Sequence, residues 1–142
     1  MSTPTPGLAA LPVQKAVRDA LLADAVLMGL LKGVFDFVPE KQPYPYIETG
    51  HAVETPDNAH DRHASSTLVT LHIWSQERGF AQALTIAARV IQALDHTPLA
   101  IAGHTHCWTR FETMTTLKDP EPPGDIRHVA MDFRIGTEVA PA

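Results

Sequence analysis

The sequence predicts an α+β fold in which two helices pack against a small, mainly antiparallel sheet. Two segments repeat apolar residues at helical spacing, and four segments read as strands from their alternation and their β-branched and aromatic residues. The order along the chain is α-β-β-α-β-β. With 142 residues and 44% hydrophobic content, the chain suits a single domain that buries one apolar core.

The first helix is predicted over residues 12–32, after a flexible tail at residues 1–11 that is rich in proline, threonine and serine. Pro12 suits the first turn of a helix, where its missing N–H costs nothing. Gly33 is a suitable C-cap. Apolar residues recur on one face of the helix at Val13, Val17, Leu21, Ala25 and Met28.

The entry into the first long strand is unusually stiff. After a short extended piece at residues 35–38, Pro43 and Pro45 fix their own φ angles and hold the residues before them extended. A strand then runs over residues 46–53. Tyr44 and Tyr46 lie beside the two prolines and have two open interpretations: they cover the end of the sheet, or they supply rigid contact area for another protein.

A long mobile loop is predicted over residues 54–66, which contain no large aliphatic or aromatic residue. Residues 67–76 form the clearest strand. Its two faces both carry apolar residues, so we expect a central strand that is covered on both sides. One face holds Val69, Leu71 and Ile73, and the other holds Leu68, Thr70, His72 and Trp74.

The second half of the chain predicts a helix over residues 78–96 and two strands over 105–117 and 126–137. An acidic, proline-rich loop at residues 119–125 joins the strands, and residues 138–142 form a tail. The helix should pack on the sheet through a stripe formed by Phe80, Leu84, Ala87, Ile91 and Leu94.

The composition excludes several classes of protein. The net charge of −5 argues against a protein that grips nucleic acid. The longest apolar run, at residues 20–31, is interrupted by Asp24 and is too short to span a membrane. The start of the chain lacks the basic region of a secretory signal. Cys107 is the only cysteine, so no internal disulfide forms, which suits a reducing cytoplasm.

Motifs for catalysis and nucleotide binding are absent from the sequence: there is no GxGxxG, P-loop, GxSxG or CxxC pattern. Cys107 reads as a small buried thiol rather than a nucleophile. Trp74 and Trp108 fall on neighbouring predicted strands, and we interpret them as residues of the core or of a subunit interface. Asp57, Asp61, His60 and His63 form an acid–histidine cluster, for which a solvated loop is the simpler reading.

Three histidines offer a weak alternative of another class, a small zinc-binding protein. His104 and His106 share a face of one predicted strand, and His128 begins the next strand, where it could lie opposite them. Three imidazoles on one face suit zinc. The simpler interpretation is that these side chains bond to water or to their neighbours, and that the protein has no cofactor.

Three stretches, taken in order, resemble one known family. They are "PYPYIETG" (43–50), "LHIWSQERGFAQALTIAARVIQAL" (71–94) and "IRHVAMDFRI" (126–135). Together with the N-terminal amphipathic helix, this order resembles the tail-completion proteins of long-tailed bacteriophages, prophages and gene transfer agents, also called tail terminators or tail-to-head joining proteins. The resemblance extends from about Pro12 to Thr137. None of the three stretches is a catalytic signature.

The resemblance implies a structural virion protein without a reaction, a cofactor or a membrane partner. Proteins of this family form a ring, usually a hexamer, that caps the tail tube and ends its elongation. The ring joins the tail to the head connector, and DNA passes through it without specific binding. The expected location is the head–tail junction of a virion or phage-like particle, and the host cytoplasm before assembly. A different neck component, such as a head-closure or minor tail protein, is the alternative.

Two groups of residues become candidate contacts under this resemblance. A ring needs head-to-tail contacts that close by rotation. The stiff strand entry and one tryptophan are the candidate subunit or partner interface, with the residues Pro43, Tyr44, Pro45, Tyr46 and Trp74. The polar loop is a candidate lumen segment that becomes ordered on assembly, with the residues Asp57, Asn58, His60, Asp61, Arg62 and His63.

Overall fold

The structure of the protein is a computed structural model and describes residues 7–59, 62–118 and 126–140. In chain order, the elements are α1 (Ala10–Leu22), α2 (Ala25–Met28), β1 (Val34–Phe35), β2 (Tyr46–Pro56), β3 (Ala64–Gln76), α3 (Ala81–Leu94), β4 (His104–Lys118) and β5 (Ile126–Val139).

The five strands form one sheet in the order β1-β2-β3-β5-β4. The two-residue strand β1 pairs with β2 in parallel, and every other pairing is antiparallel. The predicted α+β class and the mainly antiparallel sheet are confirmed. The short extended piece expected at residues 35–38 is instead β1, a fifth strand that begins one residue earlier and adds to the edge of β2.

Both long helices cover the same face of the sheet. That face carries fully buried aliphatic and aromatic side chains from the three central strands. Fully burying one such side chain contributes about 1.5–3 kcal/mol to the hydrophobic driving force. The sheet residues of this core are Ile47, Val69, Leu71, Ile73, Val129, Met131, Phe133 and Ile135.

None of the described helices covers the opposite face of β3, so the expectation that β3 is buried on both sides is wrong. His72 and Trp74 on this face are only half-buried, although β3 does lie at the centre of the sheet. An antiparallel sheet can leave one face open in this way because its hairpin connections do not force helices onto both faces.

The predicted first helix, residues 12–32, is two helices. α1 ends at Leu22, and Asp24 starts α2 as an N-cap whose carboxylate accepts a hydrogen bond from the Leu27 amide at 2.9 Å. Asp24 also pairs with Arg89 of α3, with 2.8 Å between Nη2 and Oδ2. α2 ends at Met28, so Gly33 caps no helix. An aspartate favours the capping role over the helix interior because its side chain competes for backbone amides.

Both ends of the long loop predicted at residues 54–66 are strand, because β2 continues to Pro56 and β3 begins at Ala64. The three pairs Glu54–Thr67, Thr55–Ser66 and Pro56–Ser65 extend the β2–β3 ladder beyond the last apolar residues. The absence of large apolar residues here reflects the end of the sheet, where little surface is buried, and not the absence of a ladder.

The ordered fold also extends beyond the predicted domain limits of 12 and 137. α1 begins at Ala10, inside the predicted tail, and Glu54 accepts hydrogen bonds from the amides of Ala9 and Ala10 at 3.0 and 2.9 Å. β5 continues to Val139. In the part of the chain that the structure describes, no helix is long and apolar enough to cross a membrane.

Candidate functional site

The open face of the sheet carries a row of large side chains near the end where β3 leads into α3. Tyr46 pairs with Trp74, Trp74 with His128, and His128 with Leu117, so one side chain from each of four adjacent strands lies in line. We call these four residues the open-face row. Leu117 is 45% exposed at the β4 edge. The row is a mixed aromatic and aliphatic strip of the kind that protein interfaces favour.

Ring stacking and hydrogen bonds hold the centre of the open-face row. The Trp74 and His128 rings stack with their centroids 4.1 Å apart and an interplanar angle of 8°. Trp74 Nε1 donates to Glu48 Oε1 at 3.3 Å. His128 Nε2 lies 2.6 Å from His72 Nδ1, so one imidazole donates a hydrogen bond to the other. The tryptophan therefore has a defined orientation without a covering helix.

A glycine on β2 makes room for His72. A Cβ atom at Gly50 would lie 2.7 Å from His72 Nε2 and 2.8 Å from the Thr70 carbonyl oxygen, which no side chain tolerates. An irregularity in the β2–β3 pairing between Thr49 and Ala52 bends the strand at this point. Burial lowers the pKa of His72, so the neutral imidazole is favoured there.

The stiff strand entry divides into a buried part and an accessible part. Pro45 and Tyr46 are buried, Tyr44 is half-buried and Pro43 is exposed. Tyr46 packs between Phe35, at 6.1 Å, and Tyr44, at 5.3 Å between ring centroids. Burial raises the pKa of Tyr46 to about 12, so its phenol stays neutral. Tyr46 thus covers the sheet end, whereas Tyr44 remains open to a partner.

The turn between β2 and β3 has internal hydrogen bonds in its described residues. Asn58 Oδ1 accepts from the Ala64 amide at 3.2 Å, and Arg62 reaches Glu138 of β5 at 3.1 Å. The His63 carbonyl accepts from the Val139 amide, and the Asp57 amide donates to Ala64. These contacts connect the described residues of the turn to β3 and β5 within one chain, and the ordering of the segment on assembly stays a prediction. The predicted candidates His60 and Asp61 lie outside the described residues.

The three histidines of the zinc alternative do not meet, so that hypothesis is wrong. His106 pairs with Thr137 at one end of β5, whereas His128 pairs with Leu117 at the other end. Nine residues of β5 separate those positions, which is about 30 Å at the rise of a strand. Within the described ranges, no three histidine, cysteine or acidic side chains are placed to hold a metal ion. The histidine pair that does form, His72–His128, joins residues far apart in sequence, and no local pattern marks it.

Two further sequence expectations need correction. Cys107 is exposed, because it occupies an irregular position in the β4–β5 pairing between His106 and Trp108. Trp74 and Trp108 are not on neighbouring strands, because β5 lies between β3 and β4. Trp108 instead lies over Gly136 at the far end of the open face, with the Arg110 guanidinium 4.5 Å from its ring centroid.

A second apolar surface lies on the outer side of the helices. Val26 of α2 is 58% exposed and Leu84 of α3 is 37% exposed, and with Leu30 they line a groove between the two helices. We call it the α2–α3 groove. Leu84 had been predicted to face the core, but the buried stripe of α3 is shifted around the helix and consists of Ala83, Ile86, Ala87, Val90 and Leu94.

Comparison with known proteins relates this chain to one protein family. Residues 15–138 match the family of Tail completion protein gp17. The tail completion protein gp17 of Bacillus phage SPP1 is 30% identical over 98 residues, which cover 69% of this chain and 72% of that protein. The match confirms the resemblance predicted from the three sequence stretches.

Two solved structures share the fold. A chain in the virion of a native gene transfer agent particle superposes with a TM-score of 0.84 at 25% identity, over 92% of this chain and 97% of that one. The bacteriophage SPP1 gp17 protein superposes with a TM-score of 0.60 at 25% identity, over 91% of both chains. These relatives confirm the predicted place in a virion or a gene transfer agent particle. The family consists of structural proteins rather than enzymes, and this chain belongs to it: it is a member of the Tail completion protein gp17 family.

Proposed function

We propose that the protein assembles as a closed, hexameric ring that caps the tail tube, ends its elongation and joins the tail to the head connector. DNA passes through the ring. Membership of the tail completion family supports a role at the end of the tail, and the similarity to a chain of a gene transfer agent virion supports a place in the assembled particle.

The observation that carries the proposal is the open face of the sheet. Trp74, His128 and Leu117 form a strip there that no described part of the chain covers, and Tyr44 adjoins it through Tyr46. Tryptophan and tyrosine supply large, rigid contact area and dominate the energetics of protein interfaces. A structural protein that exposes such a strip on its own is suited to bury it against a neighbour.

Head-to-tail association uses two different surfaces of each copy, and the chain has two. The open-face row lies on the sheet side of the domain, and the α2–α3 groove lies on the outer side of the helix layer. We propose that the α2–α3 groove of one copy binds the open-face row of the next copy. Repeating one contact of this kind around an axis closes a ring. The tail tube and the connector then meet the two rims of that ring.

The described residues of the β2–β3 turn, 57–59 and 62–63, are assigned to the lumen. It lies at the opposite end of β3 from the open-face row, and its described side chains include Asp57 and the Arg62–Glu138 ion pair, a mixture of charges rather than a basic patch. With a chain net charge of −5, such a lining makes few lasting phosphate contacts, so DNA slides past it.

The test is the length of the tails in particles made without the protein. We expect deletion of its gene to produce overlong tails without heads, and the intact gene supplied in trans to restore uniform, joined tails, as seen by electron microscopy. A head-closure or other neck component, the competing assignment, would instead give tails of normal length that fail to join heads. Normal, joined tails after deletion would contradict both assignments.

A further inference from the structure

We propose that the His72–His128 pair is a proton-sensitive latch that holds the open-face row in its docking shape. Neutral solution keeps the latch closed, and protonation of both imidazoles opens it. The consequence for assembly rests on the proposed ring, but the latch itself is a property of the single chain.

The closed latch requires at least one neutral imidazole. His72 Nδ1 and His128 Nε2 are 2.6 Å apart, so one nitrogen carries the shared proton and the other accepts it. A second proton would place two N–H groups and two positive charges at that distance. Like charges so close disfavour the doubly protonated pair strongly. The two rings must then swing apart.

Charged and titratable groups on β2 and β5 face the pair. The Glu48 carboxylate and the His51 imidazole contribute opposite effects from β2, and Asp132 adds a carboxylate from β5. Thr70 holds Asp132 with a 2.7 Å hydrogen bond from its hydroxyl group. β3 and β4 present the uncharged side chains Trp74 and Leu117. The phenol of Tyr46 stays neutral because its pKa is raised to about 12.

Opening of the latch changes the shape of the docking surface. His128 is stacked on Trp74 at 4.1 Å, and Trp74 is oriented by its hydrogen bond to Glu48. If His128 moves away from His72, the stack is lost and Trp74 gains rotamer freedom. A partner must then order that side chain again, which costs affinity. Acidification that adds the second proton to the pair therefore weakens docking through the row.

The latch is tested on the purified chain by histidine NMR between about pH 8 and about pH 4, a range that covers a second step well below the ordinary histidine pKa. We expect His72 and His128 to titrate as a coupled pair, with the second proton binding at least about tenfold more weakly than the first. In a Trp108→Phe chain, the fluorescence of Trp74 should change with the same midpoint as the second step. The latch would be overturned if the two rings titrated independently, or if Trp74 fluorescence did not change with their protonation.

Substitutions distinguish the contribution of His72 and His128 from that of a neighbouring histidine. His128→Gln and His72→Gln should each abolish the coupled second step, while His51→Gln, a matched histidine on β2, should keep it. The wild-type titration needs no variant, so the test survives if a substituted chain folds poorly. If the coupled second step were lost in His51→Gln and kept in the His72 and His128 variants, the assignment would be wrong.

Association measured at about pH 7.5 and again below the second titration step, at about pH 4.5, links the latch to docking. We expect the wild-type ring to dissociate at the lower pH and the His72→Gln ring to change less. Absence of a ring at both pH values, with the coupled titration intact, would reject the ring and retain the latch. A ring indifferent to pH, with the titration intact, would reject the effect of the latch on docking.

Discussion

Trp108 lies directly over Gly136, so close that a Cβ atom at residue 136 would overlap Trp108 Cε2. The two residues are paired across β4 and β5, on the open face and away from the open-face row. The absence of a side chain at residue 136 is therefore what lets the indole lie flat on the sheet beneath Arg110.

Gly136→Ala should destabilise the fold by about 1–3 kcal/mol, because the added methyl group displaces the indole ring. Denaturant unfolding measures the loss. Gly79→Ala is the matched control, since no atom lies within 4 Å of a Cβ at that position. In a Trp108→Ser background the cost should largely disappear, and an undiminished cost there would show that the steric account is incorrect.

Asp24→Asn should lower stability by about 0.5–1.5 kcal/mol, because it removes the charge that pairs with Arg89 while the amide oxygen can still cap α2. The Arg89 hydrogen bond holds the pKa of Asp24 below its usual 3.8. A depressed carboxyl pKa adds stability that is fully present well above pH 3.8 and is lost as the pH falls through the lower, folded value.

The difference in unfolding free energy between the wild-type chain and Asp24→Asn should therefore shrink in acid below pH 3.8. Lys15→Gln, which breaks the exposed Lys15–Asp19 pair of α1, is the control and should change stability little. A difference between wild type and Asp24→Asn that grows in acid would contradict the assigned sign.

The two tyrosines of the strand entry should respond differently to truncation. Tyr46→Ala removes a buried ring from the sheet end and should cost about 3–5 kcal/mol of stability, as large aromatic truncations do. Tyr44→Ala should cost less than half as much but weaken association between copies. Thermal unfolding and sedimentation, run on both variants, separate the effects. Equal losses of stability would make Tyr44 a core residue too.

Shortening the β2–β3 turn should leave the fold intact and impair the particle. Asp57 and Ala64 already close the ladder there, so replacing residues 58–63 by Asn-Gly forms a two-residue hairpin turn. We expect a cooperative unfolding transition in the shortened chain and fewer DNA-filled, joined particles by electron microscopy. A same-length replacement that neutralises Asp57 and Arg62 tests charge alone. Loss of folding in the shortened chain would show that the turn is structural.

Local patterns were sufficient to predict the strands and the second long helix to within a few residues. Their alternation and helical spacing are set by which face meets the core, which is a local property. The break at Asp24 was missed because apolar residues at helical spacing continue through α2 and masked the local N-cap signal of Asp24, and the ion pair with Arg89 that supports the break is a long-range contact. Likewise, the ladder at residues 54–56 depends on its partner β3, not on apolar residues of its own.

The candidate site was only partly predictable. Trp74 and Tyr44 could be chosen from residue type and from the neighbouring prolines. Their row with His128 and Leu117 depends on the register of three strand pairs, which no short stretch encodes. The same register separated His128 from His106 and joined it to His72. The groove was missed because a small rotation of α3 turned Leu84 outward.

Native mass spectrometry over a concentration series tests the central claim, a ring closed by head-to-tail contacts between row and groove. We predict a closed multi-subunit species, a hexamer, for the wild-type chain. Trp74→Ala in the row and Leu84→Ser in the groove should each abolish it, and their mixture should give dimers joined by the one intact contact. Leu11→Ser, an exposed residue outside both surfaces, should still form the ring. Rings that persist in both variants, or a wild-type chain that stays monomeric at every concentration and beside isolated tail tubes, would contradict the account.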